Sequence, residues 1–546
     1  MSLAPDFTAS VRLERRRAAD RTLLLVGAWA LLVAATLALR PILPIDETRY
    51  LSVAWEMWRR GEFLVPHLNG LPYSDKPPLL FWLFHLGWWL FGVEEWWPRL
   101  VPSLFALANL FLTAALARRL WPDRPGVAKA VPWVLLGLLL WSVYTTMVMF
   151  DMLVTFFVLL ALLGLHAARC RGGVLPWLQV GAALGLGILA KGPVVLMLPL
   201  FVAVLAPWWG PGTQRRGAAG WRWWLGLPGA VALGAVLALA WVLPAAAAGG
   251  AEYGKAILFS QTEGRLVDSI AHGRPWWWYL ALLPVLLYPY SLWVPLWRAG
   301  LRQRSADPGV RFTLAWLVPG LVVFSLISGK QPHYLLPLMP AFALLAARLL
   351  DEPAPALRRW SLVPPLGFLF FVGGAMAAAP WAAGWLDLPA WSGSVSPGAG
   401  FVLLAAGVAF LLLFERRFAG RRAAPSLLTL ALVVAAWAGF SEASRQAFDL
   451  EALARYLSVA EQQRRPIAYV GDYHGELHFL GRLKKPFREI PLGAERRWLS
   501  RHPRGKVVQD LRYVPREITQ ADFTQPYRGD VLAVWSRAAF LPRPSR

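Results

Sequence analysis

Of the 546 residues, a single one is cysteine, Cys170, which excludes an intramolecular disulfide and argues against a cysteine-based metal site. Charge is scarce as well: only 16% of the chain is Asp, Glu, Lys or Arg, against 57% hydrophobic residues, too apolar for a soluble protein of this length. No DxD, Walker or Rossmann pattern is present, which removes motif support for a nucleotide-sugar donor or for ATP drive. There is no solenoid-type repeat and no low-complexity tract. The first apolar segment has no convincing cleavage site and follows the basic run RLERRR, so it reads as an uncleaved anchor.

What is abundant is long apolar sequence, with 31 Trp among it. Spans are expected near residues 22 to 40, 99 to 118, 131 to 148, 150 to 166, 174 to 190, 193 to 208, 224 to 246, 276 to 298, 312 to 328, 334 to 350, 361 to 385, 400 to 415 and 425 to 440. This is an all-α polytopic membrane protein of about 13 transmembrane helices, since helices satisfy their own backbone groups in hydrocarbon. The run Leu79 to Gly92 is short for a span, and is assigned to an in-plane interfacial helix.

Charge distribution tests that choice, because one more crossing would exchange the sides of every later loop. Without it, Lys and Arg outnumber Asp and Glu several-fold in the N-terminus and in the loops near 119, 170, 215, 304, 354 and 419. The opposite loops are balanced, as the positive-inside rule expects. The net charge of +23 therefore reads as a topology signal rather than a nucleic-acid surface. Thirteen crossings place the N-terminus in the cytoplasm and residues 441 to 546 on the far side. That last region lacks span-length apolar runs and holds strand-like pieces, PIAYVGDY, ELHFLG, GKVVQDL and DVLAVWS, after a helical EALARYL. A small C-terminal α/β domain is expected at 441–546, beside a membrane domain at 1–440. Its Asp472, His474 and Glu476 read as alternating polar residues of a strand or turn rather than as metal ligands.

With sides assigned, Asp46, Glu47, Arg49, Asp75, Lys76, Asp151, Lys191, Glu263, Arg265, His272, Lys330 and His333 all fall at the non-cytoplasmic end. A transporter places ionisable residues near the midplane, whereas an enzyme acting on a lipid headgroup needs them at one interface. In the loop at 41–98, Asp46, Arg49 and Tyr50 stand at i, i+3 and i+4 and share one face of a predicted helix. They form either one wall of a cavity or a helix-start acid with its ion-pair partner. YSDKPPL sets Asp75 and Lys76 before two prolines that begin the interfacial helix. Asp151 and Lys191 suit bundle support and snorkelling as well as substrate contact, while Lys330, His333 and Tyr334 sit on a turn made by Gly329 and Pro332.

The order DETRY, a [DE]-K-P motif, an aromatic helix ending in WLFG, then VMFDMLVTFF, LAKGPV and SLISGKQPHYLLPLMP resembles the GT-C fold polyprenyl-phosphate-sugar glycosyltransferases. The nearest group is the bacterial aminoarabinose transferases of lipid A and the related protein O-mannosyltransferase superfamily. The resemblance implies an inverting transferase, active at the periplasmic face of the bacterial inner membrane, that moves a sugar from a polyprenyl-phosphate carrier to a lipid A-like glycolipid, a glycan or a protein. It implies Asp46 as the essential carboxylate, with Arg49, Tyr50, Lys76, Arg265, Lys330 and Tyr334 shaping the lipid-phosphate site. Glu47, Asp75, Asp151, Lys191, His272 and His333 are then supporting residues. QTEGR around Arg265 departs from the histidine-bearing pattern of the aminoarabinose enzymes, which leaves the sugar open. No cofactor is required; a divalent ion on Asp46, Glu47 or Asp75 is compatible with this chemistry. A flippase for polyprenyl-linked sugars is the alternative, sharing the lipid-phosphate site but needing a route across the bilayer.

Overall fold

The structure is a computed structural model that describes residues 7–210, 219–260, 273–302, 307–351, 359–386, 388, 390–414, 423–511 and 520–540. Helix α1 (Phe7–Leu39) leads into the loop region, which contains α2 (Asp46–Arg60), a two-stranded hairpin of β1 (His67–Leu68) and β2 (Leu71–Pro72), and α3 (Leu79–Phe91). The bundle continues through α4 (Trp96–Leu120), α5 (Pro125–Leu136), α6 (Leu139–Tyr144), α7 (Asp151–Cys170), α8 (Leu175–Lys191), α9 (Val194–Val204), α10 (Ala206–Trp209) and α11 (Ala219–Gly249). After α12 (Ala251–Lys255) come α13 (Trp278–Leu286), α14 (Val294–Arg302), α15 (Pro308–Leu326), α16 (Met339–Leu350), α17 (Val363–Ala382), α18 (Pro397–Leu413) and α19 (Ser426–Gly439).

Among the described residues, seven helices are long and apolar enough to cross a membrane alone. A bent pair, Ser426–Gly439 with Ser441–Gln462, makes an eighth candidate, and five apolar helices are shorter. Every stretch expected to span contains helix, but several are built from pieces. The stretch 131–148 breaks between α5 and α6, where the freed Leu139 N–H donates to the Tyr288 carbonyl at 3.0 Å and Ser142 Oγ donates to the Leu136 carbonyl. The stretch 276–298 is interrupted by a short 3₁₀ turn, Tyr290–Leu292, and 334–350 opens as the 3₁₀ segment Pro332–Leu338. Prolines at 284, 289 and 337 remove the donors that a continuous helix would need. Such breaks survive at membrane depth only where other protein groups take up the backbone.

Close helix approach is made by small residues. Gly181 and Gly185 of α8 face Ala230 and Gly234 of α11, where a Cβ on Gly181 would lie 2.8 Å from the Ala230 carbonyl oxygen. Polar ties are local: Asn109 Nδ2 donates to the Met152 carbonyl, joining α4 to α7, and Asp307 caps α15 through Gly309 and Val310 while gripping Arg348 Nε at 2.9 Å.

Beyond a 55° bend at Phe440, α20 (Ser441–Phe448) and α21 (Glu451–Gln462) lead into a five-stranded sheet. Its strands are β3 (Ile467–Val470), β4 (Arg488–Ile490), β5 (Lys506–Asp510), β6 (Phe523–Tyr527) and β7 (Asp530–Trp535), in the order β4-β3-β5-β7-β6. The first three are parallel and the last two antiparallel. Parallel strands are buried on both faces, and alternation sorts the residues. Tyr469, Val508 and Leu532 pack with Leu453 and Leu457 of α21, whereas Ala468, Val470 and Val507 pack with Leu499 of α22 (Glu495–Arg501) on the other face. ELHFLG is not a strand as expected; it is a turn. The Tyr473 hydroxyl accepts the N–H groups of Leu477 and His478, so the backbone finds its partners locally and has none to offer a sheet. The short strands β4 and β6 were not anticipated.

Candidate active site at the start of the second helix

Two adjacent carboxylates open α2, where acids complement the helix dipole, and two arginines close it before Gly61, which takes the left-handed conformation at φ 68°. Helical geometry turns the two acids to different tasks. Glu47, 2% exposed, accepts from Arg40 Nη2 at 2.9 Å and Nη1, from the Leu43 N–H at 2.8 Å and from the Val148 N–H at 2.7 Å. Burial alone would raise its pKa, but Arg40 outweighs that cost and holds the carboxyl below its ordinary value. With both oxygens committed, Glu47 pins the start of α2 to the end of α1 and to the turn before α7.

Asp46 faces the other way, its side chain 44% exposed. Its Oδ1 accepts from Arg49 Nη2 and from the Tyr50 hydroxyl at 3.2 Å, the i, i+3, i+4 face expected from the sequence. Burial opposes its ionisation; Arg49, with His333 and Lys76 farther off, overcomes this and holds its carboxyl below the ordinary value. Tyr50 is buried edge-on against Phe150, ring centroids 4.9 Å apart, and burial followed by the Asp46 charge pushes its pKa well up.

Across from α2, Asp151 begins α7 at 3% exposure and binds Lys191 Nζ at 2.6 Å. The same ammonium lies 4.9 Å from the Tyr334 ring centroid. His333 sits edge-on to Tyr334 and 5.6 Å from Tyr144, within the fields of Asp151, Lys191, Asp46 and Lys76. Asp46, Arg49, Tyr50, Lys76, Asp151, Lys191, His333 and Tyr334 are thus brought together. Asp75 is exposed beside the half-buried Lys76. Lys330 is buried and donates to the carbonyls of Arg274 (2.9 Å) and Ile327 (2.5 Å), tying together two loops that also meet through a Gly273–Gly329 bridge. Arg265, His272 and Glu263 lie outside the described residues.

Some neighbours of the site were not foreseen. Tyr73, buried between the hairpin and α2, contributes to the field at Arg49 and Tyr50; its place two residues before Asp75 was the available signal. The larger omission is the C-terminal domain. Ser52 Oγ donates to the Gly475 carbonyl at 2.5 Å and accepts the Phe479 N–H at 3.0 Å, seating the 471–479 turn on α2 beside Arg49. Trp55 Nε1 donates to Leu483, and Phe479 stacks on Trp88 of α3. Within that turn Glu476 is buried and accepts the His474 N–H at 3.1 Å; burial, the largest influence, raises its pKa. No group of three His, Cys, Asp or Glu residues is arranged to hold a metal among the described residues.

This architecture is the GT-C fold: a multi-pass helical membrane protein carrying a small C-terminal sheet region. The particular likenesses are these. The crystal structure of ArnT from Cupriavidus metallidurans in the apo state superposes with a TM-score of 0.74 at 22% identity, covering 96% of this chain and 100% of that one. The same protein bound to undecaprenyl phosphate gives 0.73 at 21% identity, covering 94% and 97%. Residues 75–247 match the family described as dolichyl-phosphate-mannose-protein mannosyltransferase. Among curated relatives, the undecaprenyl phosphate-alpha-4-amino-4-deoxy-L-arabinose arabinosyl transferase of Pseudomonas paraeruginosa (strain DSM 24068 / PA7) is 35% identical over 318 residues, 56% of this chain and 55% of the relative. The enzyme of that name from Edwardsiella ictaluri is 33% identical over 354 residues, 62% and 61%. The matched region therefore spans little more than half the length of these relatives.

Proposed function

We propose that this chain is a polyprenyl-phosphate-sugar glycosyltransferase of the bacterial inner membrane that transfers its sugar, with inversion, to a glycolipid acceptor. The observation that supports this reading best is the cluster at the start of α2: an ionised, half-exposed Asp46 held by Arg49 and Tyr50, with Lys76 near it. The relatives carry undecaprenyl phosphate and arabinosyl transferase in their names, which favours the same carrier here.

Cleavage of the sugar–phosphate bond sends its electron pair to the phosphate, and fixed cations stabilise that charge where water is scarce. Arg49 and Lys76 take this role, and an arriving phosphate competes with Asp46 for the Arg49 guanidinium. Asp46 then orients the attacking oxygen and, for a hydroxyl, accepts its proton as the new bond to the anomeric carbon forms. Tyr334, with His333, borders the carrier beside the Asp151–Lys191 pair, and Lys330 acts as a strut between loops; Arg265 and His272 stay assigned to the lipid-phosphate site and its support. A divalent ion is not needed, since Glu47 is saturated with donors and Asp46 is shared by Arg49 and Tyr50. The charge balance of the loops favours a cytoplasmic N-terminus, with the site and C-terminal domain in the periplasm.

Asp46→Asn in purified protein should lower turnover of a polyprenyl-phosphate sugar by about 10²–10⁴-fold while carrier binding persists. Undiminished transfer in that variant would sink the assignment.

A further inference from the structure

The C-terminal domain holds a cavity of about 840 Å³ well outside the charged cluster, between the edge strand β4, helix α22 and the turn that enters β3. Six cations line it: Arg464, Arg465, Lys485, Arg488, Arg497 and Arg501. Two carboxylates share the lining, and both are engaged elsewhere. Glu461 accepts the Lys484 and Lys485 N–H groups at 2.7–3.0 Å, and Glu489 accepts Asn69 Nδ2 at 3.0 Å. None of the six cationic side chains forms an ion pair among the described residues. A fold gains nothing from gathering like charges around a concavity, because their repulsion opposes compaction. The lining also carries a flat apolar surface, Trp498, whose ring is stacked on His502 at 4.4 Å.

We infer that this cavity binds a saccharide bearing two or more phosphate or carboxylate groups, the headgroup of the acceptor glycolipid; this rests on the transferase reading above. Guanidinium groups suit phosphate and carboxylate oxygens by paired hydrogen bonds, and an indole face suits the C–H side of a pyranose ring. A concave site with an aromatic wall selects a sugar over a flat anionic bilayer. The placement also serves transfer. The Lys485–Glu489 wall is the segment that Asn69 of the first loop grips, through the Phe487 N–H at 2.7 Å and carbonyl at 3.1 Å, and Glu56 of α2 holds the next residue, Gly70, by its N–H at 3.0 Å. An acceptor headgroup bound here is held on the part of the domain that is fastened to the helix bearing Asp46.

The test uses the full-length protein in nanodiscs of zwitterionic lipid, titrated with a lipid-free diphosphorylated glucosamine disaccharide and followed by calorimetry. Arg497→Glu/Arg501→Glu should weaken binding by about tenfold or more, since each lost charge-assisted contact becomes a repulsion. Arg497→Lys/Arg501→Lys, which keeps the charge but loses the paired geometry, should bind more tightly than the charge-reversed protein and more weakly than the native one. The unphosphorylated disaccharide and inorganic phosphate alone should both bind more weakly than the diphosphorylated sugar. Equal binding by the charge-reversed and native proteins overturns the inference. So does phosphate binding as tightly as the sugar, or an effect of the reversal seen only with phosphatidylglycerol vesicles, which would make the cavity a membrane contact. Carrier turnover measured on the same samples separates the two readings: a native protein that binds the sugar but never consumes carrier overturns the transferase assignment alone.

Discussion

Asp46 and Glu47 are neighbours in sequence and opposites in environment, and the difference lies in which cation each meets. Arg40 closes over Glu47 in the interior, whereas Arg49 holds Asp46 at a half-exposed edge. Because Arg49 holds the Asp46 carboxyl below its ordinary pKa, native activity should stay flat from neutral pH well into the acid range. In Arg49→Gln the burial that opposes ionisation is offset only by the more distant His333 and Lys76, so the acid limb of the kcat/KM profile should move to higher pH. An unmoved limb would exclude Asp46 as the titrating group. The Asp151–Lys191 pair behaves differently, being shielded from solvent. Lys191→Met leaves a buried carboxylate unpaired and should cost about 3–5 kcal/mol in unfolding free energy, while Asp151→Leu/Lys191→Met should recover most of it; thermal unfolding in detergent measures both.

At the scale of elements, α2 is held from three sides, by Glu47 to the bundle, by Glu56 to the hairpin and by Ser52 to the C-terminal turn. Gly475 makes the last contact possible. Its φ is +87°, and a Cβ there would lie 2.7 Å from Leu68 Cδ1 and 3.4 Å from the Arg49 Cα. Gly475→Ala adds about 1–2 kcal/mol of backbone strain to that clash. The variant should fold, yet lose turnover more than stability as the turn lifts from α2; a drop in unfolding temperature with unchanged turnover would refute this. Helix α3 is two-sided, with Trp89, Leu90 and Phe91 exposed towards its end and Phe81, Phe84 and Trp88 packed inward.

For the whole molecule, the first loop and the C-terminal domain are fastened together by hydrogen bonds and packing. Asn69 makes the hydrogen bonds of a strand neighbour to Phe487, and Gly70 packs on Pro486. Asn69→Ala should leave global unfolding nearly unchanged but raise hydrogen exchange across 484–489, because it frees one local edge rather than the sheet core. Protection equal to the native protein would show that the stacking of Phe479 on Trp88 suffices to hold the domain.

The membrane class, the helical stretches and the Asp46–Arg49–Tyr50 face were legible in the chain, because hydropathy and the 3.6-residue period are local properties that neighbours alone decide. The likeness of ordered motifs pointed to the same GT-C fold that the structure has. Broken spans were not legible, since whether a proline interrupts or merely kinks depends on which carbonyl lies across from it, as Tyr288 does for Leu139. Nor could the chain say that Glu47 is buried while Asp46 opens outward, or that Lys330 turns to carbonyls. Those outcomes depend on partners as distant as Val148 and Arg274. Sequence by itself determined that this protein lives in a membrane and gathers charge at one end of its helices. Only tertiary structure decided which of those charges meet and that the turn at Gly475 braces the helix that carries Asp46, because burial and pairing depend on contacts between elements, from Asp151 and Lys191 to Ser52 and Gly475, that the local sequence does not encode.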